Sequence, residues 1–195
     1  MAIIGVTGGI GSGKSTFSKV LAEKLGARLF DADFAARQLL ESDPTVRQEI
    51  TTQLFAEAYA PDGRPDRAAI RRLVFSDPAA KARLESILHP RIRERWTQLA
   101  SVCHENAMPL IVEIPLLFET EAEFFFDRIV TVACSYETQL NRTNARGLTL
   151  DDTDSIISSQ LPMEQKTSRA HFVVWNDGVD SNLESQAADL AKILS

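Results

Sequence analysis

Short apolar runs alternate with amphipathic stretches toward both ends of the chain. Ile3, Ile4 and Val6 predict a buried strand that ends at a glycine cluster. The next stretch has helical apolar spacing from Phe17 to Leu25 and is stopped by Gly26. Further strands are predicted at 28–30, 110–114, 128–132 and 171–175, and a closing helix at 183–194. Strands alternating with helices predict an α/β fold, a parallel sheet covered on both faces.

The stretch from about residue 34 to 107 breaks this alternation, because its apolar spacing is helical and strand signals vanish. Asp-Pro pairs at 43–44 and 77–78 each predict a helix start, since proline suits the first helical turn. The His89-Pro90 pair predicts the end of the second of these helices, with a further helix after it. We interpret the stretch as an inserted helical lobe.

Composition indicates a globular chain. Of its 195 residues, 44% are hydrophobic and 25% are charged, close to the average of soluble domains. No apolar run approaches the about 18 residues that a transmembrane helix needs, and residues 1–6 lack the basic start of a signal peptide. Cys103 and Cys134 form no CxxC pair, so we expect buried, unpaired thiols. These features predict a cytoplasmic protein with no membrane partner.

Charge is unevenly distributed along the chain. The formal net charge is −6, which argues against nucleic acid as the main partner. Residues 64–95 nevertheless contain eight Arg and one Lys against two Asp and two Glu. A basic segment in an acidic chain fits either a local anionic ligand or a set of solvated helix faces, and charge alone leaves both open.

The most specific motif follows the first predicted strand. Residues 8–15, Gly-Gly-Ile-Gly-Ser-Gly-Lys-Ser, match G-x-x-x-x-G-K-[ST] at every fixed position. Glycines let the backbone wrap around phosphates, and the following helix adds unpaired N–H groups and its positive dipole end. Lys14 is expected to reach the β- and γ-phosphates of ATP, and the Ser15 hydroxyl to bind Mg²⁺. The predicted nucleotide-binding residues of this loop are Gly9, Gly11, Ser12, Gly13, Lys14, Ser15 and Thr16. The alternative is a glycine-rich turn without a ligand.

The loop alone does not separate kinases from GTPases, motors or regulators. A guanine-reading NKxD and an ABC-type LSGGQ are absent, which favours phosphoryl transfer to a small acceptor. Asp33 is placed at the end of the second predicted strand, where ligands bind in doubly wound sheets, and it is favoured over Asp31 as a base or a Mg²⁺ ligand. Asp31 would point to the opposite side or cap a helix.

Two arginines and a histidine are further candidates. Arg142 and Arg146 are predicted to share one helix face, because side chains four residues apart are neighbours on a helix. Two guanidinium groups there suit the charge of a transferring phosphoryl group in a mobile lid, and surface salt bridges are an equal alternative. His89 lies in the basic segment, and capping or packing is the more frequent role of a lone histidine.

Ordered motifs make the chain resemble the dephospho-coenzyme A kinase family over nearly its whole length. They are the strand and phosphate loop at 4–16, Asp31-Ala32-Asp33 with Arg37, Leu88-His89-Pro90 with Arg91 and Arg93, Pro-Leu-Leu-Phe-Glu at 115–119, Gln139 with Arg142 and Arg146, Gln160, Lys166, and Asn-Asp-Gly at 176–178. The phosphate loop is not specific to this family, whereas the ordered combination is.

The resemblance implies a reaction, in which the γ-phosphate of ATP moves to the 3′-hydroxyl of the ribose of dephospho-CoA. It implies that Asp33 is the base, that Lys14 and Arg142 stabilise the transferring group, and that Arg142 and Arg146 bind ATP. The acceptor-binding residues that it implies are Asp33, Arg37, His89, Arg91, Arg93, Leu116 and Glu119. The implied partners are therefore ATP and dephospho-CoA, with Mg²⁺ as cofactor, for a monomer or weak homo-oligomer.

The resemblance also implies the architecture: a P-loop three-layer α/β fold with a five-stranded parallel sheet, an inserted helical acceptor-binding lobe and a helical lid. The core would cover about 1–33, 108–138 and 170–195, the lobe about 34–107 and the lid about 139–169.

Two positions depart from the family pattern. Glu113 stands where the family often has Asp, so the carboxylate reaches one methylene further. Ile156 stands where the family often has Arg, so Arg142, Arg146 or Arg169 must supply that charge if it contacts ATP. Two alternatives stay open: a kinase of this fold acting on a nucleoside monophosphate or a small metabolite, and a P-loop binding or regulatory module with negligible turnover.

Overall fold

Five parallel strands form a sheet in the computed structural model, which describes residues 2–194. The strands are β1 Ile3–Gly8, β2 Arg28–Asp31, β3 Leu110–Glu113, β4 Arg128–Ala133 and β5 Phe172–Trp175. Their order across the sheet is β2-β3-β1-β4-β5. The prediction of a five-stranded parallel sheet in an α/β fold is confirmed, and each strand lies close to its predicted position.

Nine α-helices occur among the described residues. They are α1 Lys14–Leu25, α2 Ala32–Ser42, α3 Pro44–Gln53, α4 Arg67–Ser76, α5 Pro78–Glu105, α6 Tyr136–Asn144, α7 Leu150–Ser158, α8 Met163–Arg169 and α9 Asp180–Leu194. The predicted ending of α1 at Gly26 is confirmed, and Gly26 has a positive φ of 59° as the C-cap.

Alternation along the strands assigns their side chains to two faces. Ile4 and Val6 are fully buried in a core that α1 and α9 cover. Gly5 points to the other face, where a Cβ atom on it would lie 2.7 Å from the side chain of Leu117. The same face carries Thr131, whose hydroxyl donates to the carbonyl of Lys166 in α8. Both faces of the sheet are therefore covered, as a parallel sheet requires.

The chain divides into two compact units. One is built from the chain up to Asp31 and from Ala100 onward, and it contains the sheet. The other is 32–99, which is helical and has its own apolar core of Leu39, Val46, Ile50, Ala58, Tyr59, Ile70, Ile87 and Leu88. Within this unit the Tyr59 hydroxyl donates to the carbonyl of Leu40, and the Arg47 guanidinium lies over the Tyr59 ring.

The predicted helix break at His89-Pro90 is wrong. α5 runs unbroken from Pro78 to Glu105 with Pro90 inside it. Pro90 has no N–H to donate to the carbonyl of Ser86, but both residues are exposed, so water can satisfy that carbonyl. The flanking turns are held by burial of Ile87 and Leu88 in the apolar core. Packing therefore outweighs the local cost of the proline.

Cys103 and Cys134 are both buried and form no disulfide, as predicted. Among residues 2–194, no helix is both long enough and apolar enough to cross a membrane.

Candidate active site

The loop between β1 and α1 has the backbone that its glycines allow. Gly11 and Gly13 have positive φ values of 72° and 91°, a region that side chains with a Cβ rarely occupy. Gly8 lies so close to β4 that a Cβ atom on it would be 2.1 Å from the carbonyl oxygen of Val132. α1 begins at Lys14, directly after Gly13, so its N-terminal N–H groups belong to the loop. This arrangement is an anion-binding helix start.

Lys14 and Ser15 contact their own surroundings in this structure. Lys14 Nζ donates to the carbonyl of Gly9 at 2.8 Å. Ser15 Oγ donates to Glu113 Oε1 at 2.7 Å. Thr16 follows in the first turn of α1 and is exposed. The Lys14 side chain is thereby directed along the loop, and the Ser15 side chain toward the end of β3.

Glu113 is the last residue of β3 and is only 4% exposed. Burial raises its pKa, and the hydrogen bond from Ser15 and the charge of Lys14 act in the opposite direction. Its strand partner in β2 is Asp31, whose charge raises the Glu113 pKa further. A hydroxyl and a carboxylate thus lie side by side at the carboxyl edge of the sheet, where ligands bind in such folds.

Asp33 does not end the second strand, contrary to the prediction. Asp31 is the last residue of β2, and Asp33 lies exposed in the first turn of α2. The strand ends because Asp31 forms its last pair with β3 and the chain turns into the helix at Ala32. The expectation that Asp31 would point to the opposite side of a strand from Asp33 is wrong, because side chains two residues apart on a strand share a face and because Asp33 lies in a helix. The Arg37 Nε group donates to the carbonyl of Asp33 at 3.2 Å.

Arg142 of α6 reaches the phosphate loop. Its Nη1 group donates to the carbonyls of Gly11 at 3.1 Å and Ser12 at 3.4 Å. Gln160 also contacts the loop, because its Oε1 atom accepts from the N–H of Ile10 at 3.2 Å. The structure therefore brings α6 and the segment after α7 together at the loop.

The prediction that Arg142 and Arg146 share a helix face is wrong. α6 ends at Asn144, and Arg146 lies exposed in the turn that follows. Gly147 adopts a positive φ of 83°, and the N–H groups of Arg146 and Leu148 both donate to the carbonyl of Thr143. This glycine-centred turn ends the helix before it reaches Arg146.

The loop after β3 is tied to the segment around α8 by a buried ion pair. Lys166 is fully buried, and its Nζ atom lies 2.7 Å from Glu119 Oε1 and 2.8 Å from the carbonyl of Pro115. The same Glu119 oxygen accepts from the N–H of Leu161. Burial lowers the pKa of Lys166, while Glu119 opposes that shift. Leu116 lies half-buried in the same loop. Glu119 thus has a structural contact that the sequence did not indicate.

Arg169 is engaged with the same part of the chain. Its guanidinium forms an ion pair with Glu123 and lies 4.6 Å from the ring centre of Phe118. Of the arginines considered to replace the charge missing at Ile156, Arg142 contacts the phosphate loop.

The remaining candidates belong to the helical unit. His89 and Arg93 line an open groove of about 490 Å³ together with Pro90, Glu94 and Thr97. Burial lowers the pKa of His89, Glu85 opposes the shift and Arg93 adds to it. Arg91 is half-buried, donating to Glu49 Oε1 at 2.7 Å and to the carbonyl of Ile87. Arg91 therefore stabilises the unit, whereas His89 and Arg93 line its groove.

Gln139 and Asn176 were named only among the motifs of the family resemblance, without a role in the site. Gln139 Nε2 donates to the carbonyl of Ile10 and Asn176 Nδ2 to the carbonyl of Ser12, each at 2.8 Å. Both residues follow strands, β4 and β5, whose carboxyl ends meet at the loop's edge of the sheet. A polar residue soon after a predicted strand was the available signal.

The comparisons with known proteins agree over nearly the whole chain. Residues 2–182 match the family model described as dephospho-CoA kinase. The dephospho-CoA kinase of Chlorobaculum tepidum is 38% identical over 98% of this chain and 94% of its own. A Thermus thermophilus protein of known crystal structure is 35% identical, with a TM-score of 0.83 over 100% of this chain and 98% of its own. The dephospho-CoA kinase of Campylobacter jejuni is 25% identical, with a TM-score of 0.72 over 99% and 96%.

Proposed function

This chain belongs to the dephospho-CoA kinase family, and on that premise we propose how its residues divide the work of phosphoryl transfer. The reaction is the transfer of the γ-phosphoryl group of ATP to the 3′-hydroxyl of the ribose of dephospho-CoA, the final step of coenzyme A synthesis. The observation that carries the assignment is the loop of residues 8–15. Its glycines have the backbone of an anion-binding nest at the start of α1, with Lys14 and Arg142 both in contact with it.

Lys14 and Arg142 supply positive charge where charge develops on the transferring group. Lys14 now donates to the carbonyl of Gly9, a bond that a γ-phosphate oxygen can replace with a stronger, charge-assisted one. Arg142 touches the loop through Nη1, which leaves its planar guanidinium at the edge of the phosphate site. Exposed Arg146 would reach the nucleotide only from the turn after α6.

The residues present fit Mg²⁺. Within residues 2–194 there is no cluster of three or more His, Cys, Asp or Glu side chains that could form a protein cage for a metal. Mg²⁺ needs no such cage, because it typically binds one or two protein oxygen ligands together with substrate phosphates. Ser15 Oγ and Glu113 Oε1, 2.7 Å apart at the end of β3, are oxygen donors of this kind. When bound with ATP, Mg²⁺ neutralises charge on the phosphate oxygens.

Asp33 is the proposed base. Its carboxylate accepts the proton of the 3′-hydroxyl as that oxygen bonds to the γ-phosphorus, and the bond from the γ-phosphorus to the bridging oxygen breaks to release ADP. The support is its exposed position two residues after β2, whose carboxyl end lies at the ligand-binding edge of the sheet. Its backbone is held by Arg37.

The helical unit and the loop after β3 are the proposed acceptor-binding parts. Among the implied residues, His89 and Arg93 have the strongest support, because they line the groove of the helical unit. Burial lowers the pKa of His89, which keeps its imidazole neutral near pH 7, so His89 would act as a hydrogen-bonding group. Arg93 supplies positive charge for a pyrophosphate. Arg37, Arg91, Leu116 and Glu119 stay proposals with structural contacts of their own.

A panel of acceptors tests this function. The protein is incubated with ATP, Mg²⁺ and, separately, dephospho-CoA, shikimate, gluconate or AMP, and the products are identified by mass spectrometry and phosphorus NMR. The expected product is CoA, phosphorylated at the 3′ position. Turnover of another acceptor in place of dephospho-CoA would show a different kinase, and ATP binding without transfer to any of them would show a binding module.

Action in the cytoplasm, as a monomer or weak homo-oligomer and without nucleic acid, stays a prediction.

A further inference from the structure

Four consecutive carbonyls of the phosphate loop accept hydrogen bonds from side chains. The pairs are Lys14 to Gly9 at 2.8 Å, Gln139 to Ile10 at 2.8 Å, Arg142 to Gly11 at 3.1 Å and Asn176 to Ser12 at 2.8 Å. Two of these donors are cations that the reaction itself uses. The other two are neutral amides for which phosphoryl transfer has no evident chemical need.

The two amides fit closely into the loop. Gln139 is 6% exposed and Asn176 is 4% exposed. A Cβ atom on Gly9 would lie 2.5 Å from Gln139 Nε2, and one on Gly13 would lie 2.3 Å from Asn176 Nδ2. These two glycines therefore lack side chains at the points where the amides approach the backbone.

Each amide is held by a different element at the edge of the sheet. Asn176 directly follows β5, and its backbone N–H donates to the carbonyl of Ala133 at 2.7 Å. Gln139 lies in α6, and its backbone N–H donates to the carbonyl of Ser135 at 3.0 Å. The amides thus connect the loop to elements that follow β4 and β5. Rigid support of this kind is what a preorganised site needs.

We propose that Gln139 and Asn176 are positioning residues that keep the loop carbonyls turned outward, so that loop N–H groups face the phosphates before nucleotide arrives. The proposal rests on the proposed function for the nucleotide site. A peptide plane that presents its carbonyl on one side presents its N–H on the other, so fixing a carbonyl fixes the adjacent amide. Neither side chain needs to touch ATP for this effect. Their loss should therefore weaken the binding of any polyphosphate, with or without a nucleoside.

The test compares ATP with inorganic tripolyphosphate as ligands, each titrated by calorimetry with Mg²⁺ present. The variants are Asn176→Ala and Gln139→Met, the second of which keeps the side-chain length without the amide. Each is expected to raise the Kd of both ligands by about tenfold, the scale of one lost hydrogen bond to a buried group. Asn106→Ala is the matched control, because Asn106 also donates its side-chain amide to a backbone carbonyl, at 2.7 Å, but on an exposed turn after α5.

The two ligands separate the possible roles. An equal loss for ATP and tripolyphosphate supports positioning of the loop. A loss for ATP alone would mean that these amides contact the nucleoside, and it would overturn the proposal. Unchanged Kd values with a lowered melting temperature would show a purely structural role and would also overturn it. If the wild-type protein binds neither ligand, the proposed function fails instead.

Asn176→Asp adds a readout that does not depend on how well the Ala variant folds. The carboxylate keeps the shape of the amide but repels the Ser12 carbonyl, and on protonation it regains a donor. The ratio of its tripolyphosphate Kd to that of wild type should fall as pH is lowered from 8 toward 5. A ratio independent of pH would contradict the need for a donor at this position.

Discussion

Asp33 is the residue on which the proposed chemistry depends most directly. We expect Asp33→Asn to lower kcat by ~10²-fold or more, because the amide cannot take the hydroxyl proton. ATP affinity should be unchanged, since the assigned phosphate ligands lie elsewhere in the chain. The measurement is steady-state kinetics, with ATP binding followed separately.

Asp62→Asn is a suitable control for this change. Asp62 belongs to the same helical unit, but it lies on an exposed turn, where its carboxylate accepts from the backbone N–H of Arg64 at 3.0 Å and forms a 3.6 Å ion pair with the side chain of that residue. It should keep full activity. A rate for Asp33→Asn close to wild type would remove Asp33 from the role of base.

Glu113 carries a pH-dependent cost in stability. Because burial raises its pKa above the ordinary value of 4.5, its contribution to folding is most favourable below that value and is lost as pH rises through the raised pKa. Glu113→Gln removes the titration. The free energy of unfolding of this variant, relative to wild type, should therefore rise between pH 4.5 and neutrality, as measured by urea denaturation.

Glu184→Gln provides the comparison, because Glu184 lies exposed on α9 in the same unit. This variant also removes one carboxylate from that unit, so it controls for the change in net charge. A pH dependence of the Glu113→Gln difference no larger than that of Glu184→Gln would contradict a raised Glu113 pKa. Since Glu113 accepts from Ser15 and is a proposed Mg²⁺ ligand, the variant should also lose activity at every pH.

At the scale of elements, the strands were predictable because each is a short apolar run, and the phosphate loop because its glycines and lysine have fixed spacing. The errors have two different causes, tertiary packing in one case and a local helix stop in the other. Pro90 stays helical because the turns around it are buried, and Arg146 falls outside α6 because Gly147 ends the helix. The contacts of Gln139 and Asn176 with the loop join distant parts of the chain, and no spacing rule reports them.

α5 offers a test of how much its internal proline costs. Pro90→Ala restores an N–H that can donate to the carbonyl of Ser86, and exposed Pro90 gives up little packing. We expect the free energy of unfolding to rise by ~2 kcal/mol, the helix preference for alanine less the greater flexibility of the unfolded chain. Denaturant titration measures it.

Pro78→Ala in the same helix separates position from residue type. Pro78 is the first residue of α5, where the missing N–H is not needed and the fixed φ suits the helix. This variant should be no more stable than wild type. Equal stabilisation by both changes would contradict a cost that is specific to a proline in the helix interior.

The whole molecule combines a net charge of −6 with a basic segment at 64–95. If that segment attracts the anionic acceptor, the KM for dephospho-CoA should rise with ionic strength, because salt shortens the range of the attraction to about 8 Å at physiological strength. Steady-state kinetics between 0.05 and 0.5 M KCl, at saturating ATP, measures this dependence. The net negative charge of the whole chain, acting alone, would instead repel the acceptor, and the KM for dephospho-CoA would fall as salt is added.

Two arginines of the same segment locate the effect. Arg93 lines the groove beside His89, so Arg93→Gln should raise the acceptor KM at low salt and flatten its salt dependence, while the KM for ATP stays unchanged. Arg64→Gln removes an equal charge from a side chain that is 87% exposed, and it should change neither value. If both variants shift the acceptor KM equally, the attraction comes from the field of the whole basic segment. If neither does, the segment is a set of solvated helix faces and the acceptor is held by other groups.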